Sequence, residues 1–223
     1  MQLIIFDCDG TLVDSQHKIC AAMTHAFSAM QLPVPPREAI LGIVGLSLPQ
    51  VFAVLAATEP ASVQAQLVDL YRGDFPGRSA GAARNDPLYA GMGELVATLA
   101  RRSELVLGMA TGKSRRGVAR ILEREGWSGH FVTIQTADDH PSKPDPAMIL
   151  QAMAEVGAEP ARTIMVGDTT YDMEMASNAG VRGVGVSWGY HTPARLLEAG
   201  AERVVGSSAE LLRAITEPVG ELA

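Results

Sequence analysis

The chain has 223 residues, the length of one large domain or of one domain carrying an insert. Apolar residues make up 47% of it and charged residues 19%, enough to build a core, which excludes wholesale disorder. The net charge is −7 and no basic run exceeds the pairs Arg101/Arg102 and Arg115/Arg116, so neither nucleic acid nor an anionic membrane surface is expected as a partner.

The apolar runs at 3–6 and 105–110 fall far short of the ~20 residues that a membrane span needs. The first is also too short for a secretory leader and runs straight into Asp7. Cys8 and Cys20 form no CxxC and sit in no Cys/His cluster, which argues against a disulfide framework or a structural zinc site. The expectation is a cytoplasmic protein, monomeric or homodimeric.

Residues 3–6 (Leu-Ile-Ile-Phe) read as a buried strand that delivers Asp7. Helical patterns follow at 17–30, 48–57 and 62–74, split by Leu32-Pro-Val-Pro-Pro36 and Thr58-Glu-Pro60, with no convincing strand among them. A Gly- and Ala-rich stretch at 75–85 suits a hinge. From there helices and strands alternate: helix 91–102, strand 105–110 ending at Thr111, helix 115–125, strand 131–135, helix 146–156 and strand 163–167 ending at Asp168. Helix 170–179, strand 181–186, a short strand at 203–205 and helix 208–216 complete the series. Such alternation predicts a parallel sheet covered on both faces. Residues 15–87 are electrically neutral, with five bases and five acids, and the remaining 13 bases and 20 acids supply the whole net charge. The chain therefore reads as an α/β core, 1–14 and 88–223, with a small helical cap, 15–87, inserted after the first strand.

Four segments carry chemistry. In Asp7-Cys8-Asp9-Gly10-Thr11 a buried strand delivers two carboxylates two residues apart, and these repel unless a cation or a proton intervenes. Oxygen ligands of this kind suit Mg²⁺. In Thr111-Gly112-Lys113-Ser114 a strand ends, Gly112 permits close approach of a ligand, and Ser114 caps a helix whose free N–H groups suit a phosphate. Gly-Lys-Ser here is not a nucleotide-binding P-loop, because only three residues separate Gly108 and Gly112 where that motif needs four. Lys143, one of three lysines in the chain, lies before Pro144 in a constrained loop and could neutralise a phosphate. In Gly167-Asp168-Thr169-Thr170-Tyr171-Asp172 a strand again ends in an acid, and Asp172 falls in the first turn of the next helix. All four segments lie at C-terminal strand ends, where open α/β sheets place ligands. Together they form a phosphate-plus-Mg²⁺ constellation. Cys8 reads as a small buried filler, and Trp188-Gly-Tyr-His191 as a candidate border of the cleft.

The set Asp7-Cys-Asp-Gly-Thr-Leu-Val-Asp-Ser15, Thr111-Gly112, Lys143-Pro144 and Gly167-Asp168…Asp172 resembles the haloacid dehalogenase-like hydrolase superfamily, more closely its phosphoglycolate phosphatase-like branch. The motifs stand in that family's order and span nearly the whole chain. The resemblance implies a Rossmann-like core with a helical cap. It implies a phosphatase in which Asp7 takes the phosphoryl group as an aspartyl phosphate and Asp9 acts as general acid, then base. Thr111 and the Gly112 N–H would hold phosphate oxygens, and Lys143 would offset negative charge. Mg²⁺ would be held by Asp7, the Asp9 backbone carbonyl and Asp168, with Asp172 nearby or through water. The implied partner is a small phosphorylated metabolite.

The presence of Asp9 argues against a dehalogenase and against a receiver-type signalling protein, which stores its aspartyl phosphate. Lys18, the only lysine of the helical segment, is not in the phosphonatase position, and Ile19 stands where mutase-type members keep a histidine. A sugar-phosphate mutase, a phosphonatase and a phospho-Asp binding protein remain the alternatives. In this family a cap loop dips towards the phosphate; the candidate is Gly42–Pro49, with Gly45, Leu46 and Ser47 as its specificity residues. That loop carries no cation, and Arg37 and Arg72 lie elsewhere, so it offers no obvious reader of a substrate carboxylate.

Overall fold

The computed structural model describes residues 1–74 and 86–217. The stretch expected to act as a hinge, 75–85, lies outside the described residues. Strand β1 (Gln2–Phe6) opens the chain, followed by helices α1 (Gln16–Ala29), α2 (Arg37–Leu41), α3 (Leu48–Leu55) and α4 (Ala61–Asp74). Then come α5 (Met92–Ala100), β2 (Leu105–Thr111), α6 (Arg115–Arg124), β3 (Phe131–Thr136) and α7 (Ala147–Val156). The chain continues through β4 (Thr163–Gly167), α8 (Thr170–Asn178), β5 (Arg182–Val186), α9 (Pro193–Glu198), β6 (Arg203–Val205) and α10 (Ser208–Thr216). Two helices, α2 and α9, are not predicted from the sequence. At five and six residues they are too short to show a helical period, and a proline marks the start of each, Pro36 just before α2 and Pro193 at the first position of α9.

Among the described residues the strands form one six-stranded parallel sheet in the order β3-β2-β1-β4-β5-β6, a Rossmann-like α/β arrangement. Residues 3–6 of β1 are all apolar because both faces of the strand are covered. Ile4 and Phe6 pack into a cluster with Met92, Leu95, Val118 and Leu211, while Leu3 and Ile5 pack on the other side with Met148, Ile149 and Met175. The order reverses between β1 and β4, which pair Phe6 with Val166. That reversal opens a crevice at the C-terminal strand ends, and Asp7 and Asp168 both emerge there. No helix among the described residues is long and apolar enough to cross a membrane.

Helices α1 to α4 pack on a separate apolar cluster. It takes Ile19, Met23, Ala26 and Phe27 from α1, Ile40 from α2, Val51 and Phe52 from α3, and Leu67, Val68 and Tyr71 from α4. The α1 residues recur at helical spacing, so one face of the helix is buried. Phe52 is fully buried at the centre, 6.0 Å from the ring of Phe27 and 6.2 Å from that of Tyr71. Phe52→Ala is expected to cost about 3–5 kcal/mol in chemical denaturation; a loss below about 1 kcal/mol would mean that this cluster does not hold the four helices together.

Candidate active site

The crevice is built from strand ends. The Asp7 N–H donates to the Val166 carbonyl at 2.9 Å, which fixes the first acid against β4. Both Asp7 carboxylate oxygens are buried without a hydrogen bond, although Oδ1 stands 3.0 Å from the Lys143 ammonium. Lys143 also donates to Asp172 Oδ1 at 2.6 Å and is itself fully buried. Asp172 is held from its other side, where Oδ2 accepts from the Thr169 N–H and Oγ1 while the Thr169 hydroxyl caps α8. Asp168 is oriented by Thr11 Oγ1 at 2.8 Å and by the Tyr190 N–H at 2.9 Å. Gly10 makes this packing possible. Its φ is +87°, and a Cβ there would come within 2.2 Å of Asp168 Oδ2.

One carboxylate oxygen each from Asp7, Asp168 and Asp172 lie within 4.8 Å of one another, all buried. The donor set is all oxygen, as Mg²⁺ prefers, and Asp7 is held by its ion pair with Lys143 rather than by hydrogen bonds to its oxygens. The residues therefore fit a divalent cation. The Asp9 carboxylate is not part of this group. Its Oδ1 accepts from Ser15 Oγ at 2.5 Å and from Lys113 Nζ at 2.6 Å, and its Oδ2 lies 2.9 Å from the same ammonium. Only the Asp9 backbone is left to serve a metal.

Charge explains the protonation behaviour. Burial pushes the Asp7 carboxyl up to about 6, against the pull of Lys143 and with a further rise from Asp172. Burial, Asp172 and Asp7 together hold Asp168 well above the usual carboxylate range. Burial works against the charge on Lys143, but Asp172 and Asp7 outweigh it and keep the ammonium above its ordinary value. For Lys113, Asp9 likewise overcomes burial.

Thr111 and Gly112 sit at the end of β2, ahead of α6, whose first turn is capped by Ser114 accepting from the Gly117 N–H. A Cβ on Gly112 would stand 2.6 Å from the Gly45 carbonyl oxygen and 3.0 Å from that of Leu46. The Ser47 N–H donates to Ser142 Oγ at 2.8 Å. The three loop residues singled out in the sequence thus lie directly on the crevice. His191 helps to hold that loop. Its Nδ1 accepts from the Thr170 N–H at 3.0 Å, so its proton is on Nε2, which reaches the Gly42 carbonyl at 3.1 Å. Cys8 packs in the sheet core, and burial pushes its thiol up, out of reactive range.

Sequence reading missed Lys113 as a partner of Asp9, because the Gly-Lys-Ser pattern is informative only as a phosphate loop and fails that test. Its rarity was the available signal: it is one of three lysines in the chain. Ser15, Tyr190 and Thr169 were missed as supports. Tyr190 Oη lies 3.3 Å from Ser15 Oγ across 175 residues of sequence, a pairing that no local pattern encodes.

A family model described as haloacid dehalogenase-like hydrolase matches residues 4–186. The chain is 35% identical to a Dickeya dadantii protein named "Probable phosphatase IndB", over 97% of each chain. It is 32% identical to a phosphoglycolate phosphatase of Synechococcus elongatus, over 97% of this chain and 98% of the relative. A Mycobacterium tuberculosis protein named "Tyrosine-protein kinase PtkA" is 35% identical over 85% of this chain, which spans 63% of that protein. The solved structure of a hydrolase from Pseudomonas syringae superposes with a TM-score of 0.84 at 27% identity, covering 97% of this chain and 99% of that one.

The raised carboxyl of Asp7 has a definite sign. Between the ordinary value of 3.8 and about 6 the native state holds a proton that the unfolded chain has lost, so this group's contribution makes the metal-free protein less stable as pH rises through that window. A cation binding there must displace protons at low pH. The increase in melting temperature on adding Mg²⁺ is expected to be larger at pH 7.5 than at pH 5; an equal increase at both would show that the ion binds away from these acids.

Proposed function

The chain belongs to the haloacid dehalogenase-like hydrolase family and is a phosphoric monoester hydrolase, and we propose that it cleaves a small phosphomonoester metabolite, with Mg²⁺, through an aspartyl phosphate on Asp7. The reading rests chiefly on Asp7 itself, a buried carboxylate at the switch point of the sheet with no hydrogen-bonded oxygen, ion-paired at 3.0 Å to a fully buried lysine. The phosphoglycolate phosphatase among its relatives supports the substrate class.

In the proposed reaction Asp9 takes up a proton as the substrate binds; an Asp7 oxygen then bonds to phosphorus as the ester oxygen leaves, and Asp9 gives that oxygen its proton. Water then attacks the phosphoryl group, Asp9 takes the water's proton, and inorganic phosphate departs with Asp7 restored. Thr111 Oγ1 and the Gly112 N–H, at the start of α6, hold phosphoryl oxygens. Lys143 spreads positive charge between Asp7 and the incoming phosphate, and Asp172 keeps it there. The Asp7 and Asp168 carboxylates and the Asp9 carbonyl, with Asp172 in support, would hold Mg²⁺, which would supply the positive charge that two lysines cannot. Ser15 and Lys113 keep the Asp9 carboxylate at the crevice before substrate arrives. Residues 15–87 act as a cap over the core formed by 1–14 and 88–223, and Gly45, Leu46 and Ser47 meet the substrate.

Lys18 ion-pairs with Asp86 at 3.2 Å and does not line the cavity, which favours hydrolysis over phosphonatase chemistry. The deciding experiment is phosphate release with Mg²⁺ across phosphoglycolate, hexose and pentose phosphates, nucleoside monophosphates and an aryl phosphate. Asp7→Asn is expected to lower turnover by several orders of magnitude, and EDTA to abolish it. Full turnover by Asp7→Asn would eliminate the covalent route, and full turnover in EDTA the metal. Asp9→Asn is expected to spare slow phosphoenzyme formation from esters with good leaving groups, since those need little protonation; equal losses for good and poor leaving groups would remove Asp9 from proton transfer.

A further inference from the structure

The crevice opens into a cavity of about 680 Å³ between the sheet and helices α1 to α4. Sites of ~300–1,000 Å³ enclose drug-sized ligands, so a phosphoryl group with a two-carbon tail would leave most of this space empty. Two kinds of wall surround it. Towards α1 and α3 the lining is apolar, with Ile19, Met23, Val44, Leu46 and Val51 among it. Hydroxyls of a sugar body would find few partners there, and an unpartnered buried hydroxyl is unfavourable.

The second wall is cationic. Helix α6 carries four arginines. Arg115 pairs with Asp139 and Arg124 with Glu125, each at 2.5 Å. Arg116 and Arg120, one helical turn apart, line the cavity, and neither has an ion-pair partner among the described residues. Arg72 of α4 lines the same cavity and is likewise without an ion pair among them. The nearby Asp138 is engaged, because its Oδ2 accepts from the Arg115 N–H at 2.8 Å. Three guanidinium groups without an ion pair among the described residues thus border one cavity, with Asp138 also in its lining, in a chain whose net charge is −7. A guanidinium pair at this spacing suits a carboxylate or phosphate.

Building on the phosphatase reading above, we propose that the natural substrate is an elongated phosphomonoester with an apolar body and a second anionic group, carboxylate or phosphate, seated on Arg116 and Arg120 with Arg72 beside them. The transferred phosphoryl group lies at Asp7, the body lies along the apolar wall, and the distal anion reaches α6. The reader of a substrate carboxylate that the cap loop lacks is then supplied by the core.

The test compares kcat/KM for phenyl phosphate, 4-carboxyphenyl phosphate, 1,4-phenylene bisphosphate and glucose 6-phosphate, with Mg²⁺. At least one of the two esters with a distal anion is expected to exceed phenyl phosphate by about tenfold, equivalent to ~1.4 kcal/mol, and the better of the two identifies the anion. Glucose 6-phosphate is expected to be the poorest. In the double variant R116Q/R120Q the advantage of the anionic ester should fall to near unity. R116K/R120K should retain part of it, and Arg115→Gln, which removes a guanidinium already paired with Asp139, all of it. Equal values for the three aryl esters, a preference that survives R116Q/R120Q, or a preference for glucose 6-phosphate would overturn the proposal while leaving the phosphatase intact. No phosphate release from any ester would instead overturn the phosphatase reading, and this proposal with it.

Discussion

Four carboxylates and two lysines share one buried end of the sheet. Among the described residues Asp7, Asp9, Asp168 and Asp172 are ion-paired by Lys113 and Lys143 alone, so two negative charges are left over. An uncompensated buried charge costs about several kcal/mol even after relaxation, so the surplus must be met by protons or by a divalent cation. The rise of Asp7 and Asp168 above the usual carboxylate range is the proton solution. The cluster of oxygens from Asp7, Asp168 and Asp172 provides for the cation solution. The same deficit makes the site receptive to Mg²⁺ and hostile to a bare phosphate.

Holding like charges this close requires a rigid frame. β1 and β4 supply it by placing two acids at the reversal of strand order. The turn at Gly10 packs against Asp168 more closely than any side chain would permit. The capping box at the start of α8 turns Asp172 back towards Lys143. Each device is local, yet each aims a charge at the same point. The two lysines divide three of the acids between them: Lys143 serves Asp7 and Asp172, and Lys113 serves Asp9, while Asp168 is held by Thr11 and the Tyr190 N–H. This division separates the carboxylate proposed to form a bond to phosphorus from the one proposed to move protons.

Above the charged floor, helices α1 to α4 have an apolar core of their own and touch the crevice through a loop. The Gly45 and Leu46 carbonyls press on Gly112, the Ser47 N–H reaches Ser142, and His191 holds Gly42. A loop fixed by its backbone keeps its place on the crevice independently of the side chains of the cavity wall. In this chain those side chains are aliphatic on one side and arginines on the other.

Much of this was legible in the amino-acid sequence. The strand runs at 3–6 and 163–167, the helix periods of α1 and α6, and the four acids and one lysine at strand ends could be read locally, because burial period and turn chemistry are properties of short segments. The short helices α2 and α9 could not, being too brief for a period and masked by proline. The sequence alone determined which residues had to cluster, since repelling acids at strand termini demand a shared counter-charge. Only the tertiary structure decided how the charges pair. Lys113 with Asp9, Ser15 with Tyr190, and the shared cavity lining of Arg72 with Arg116 and Arg120 all depend on segments far apart in the chain being folded against one another, and no local pattern records that distance.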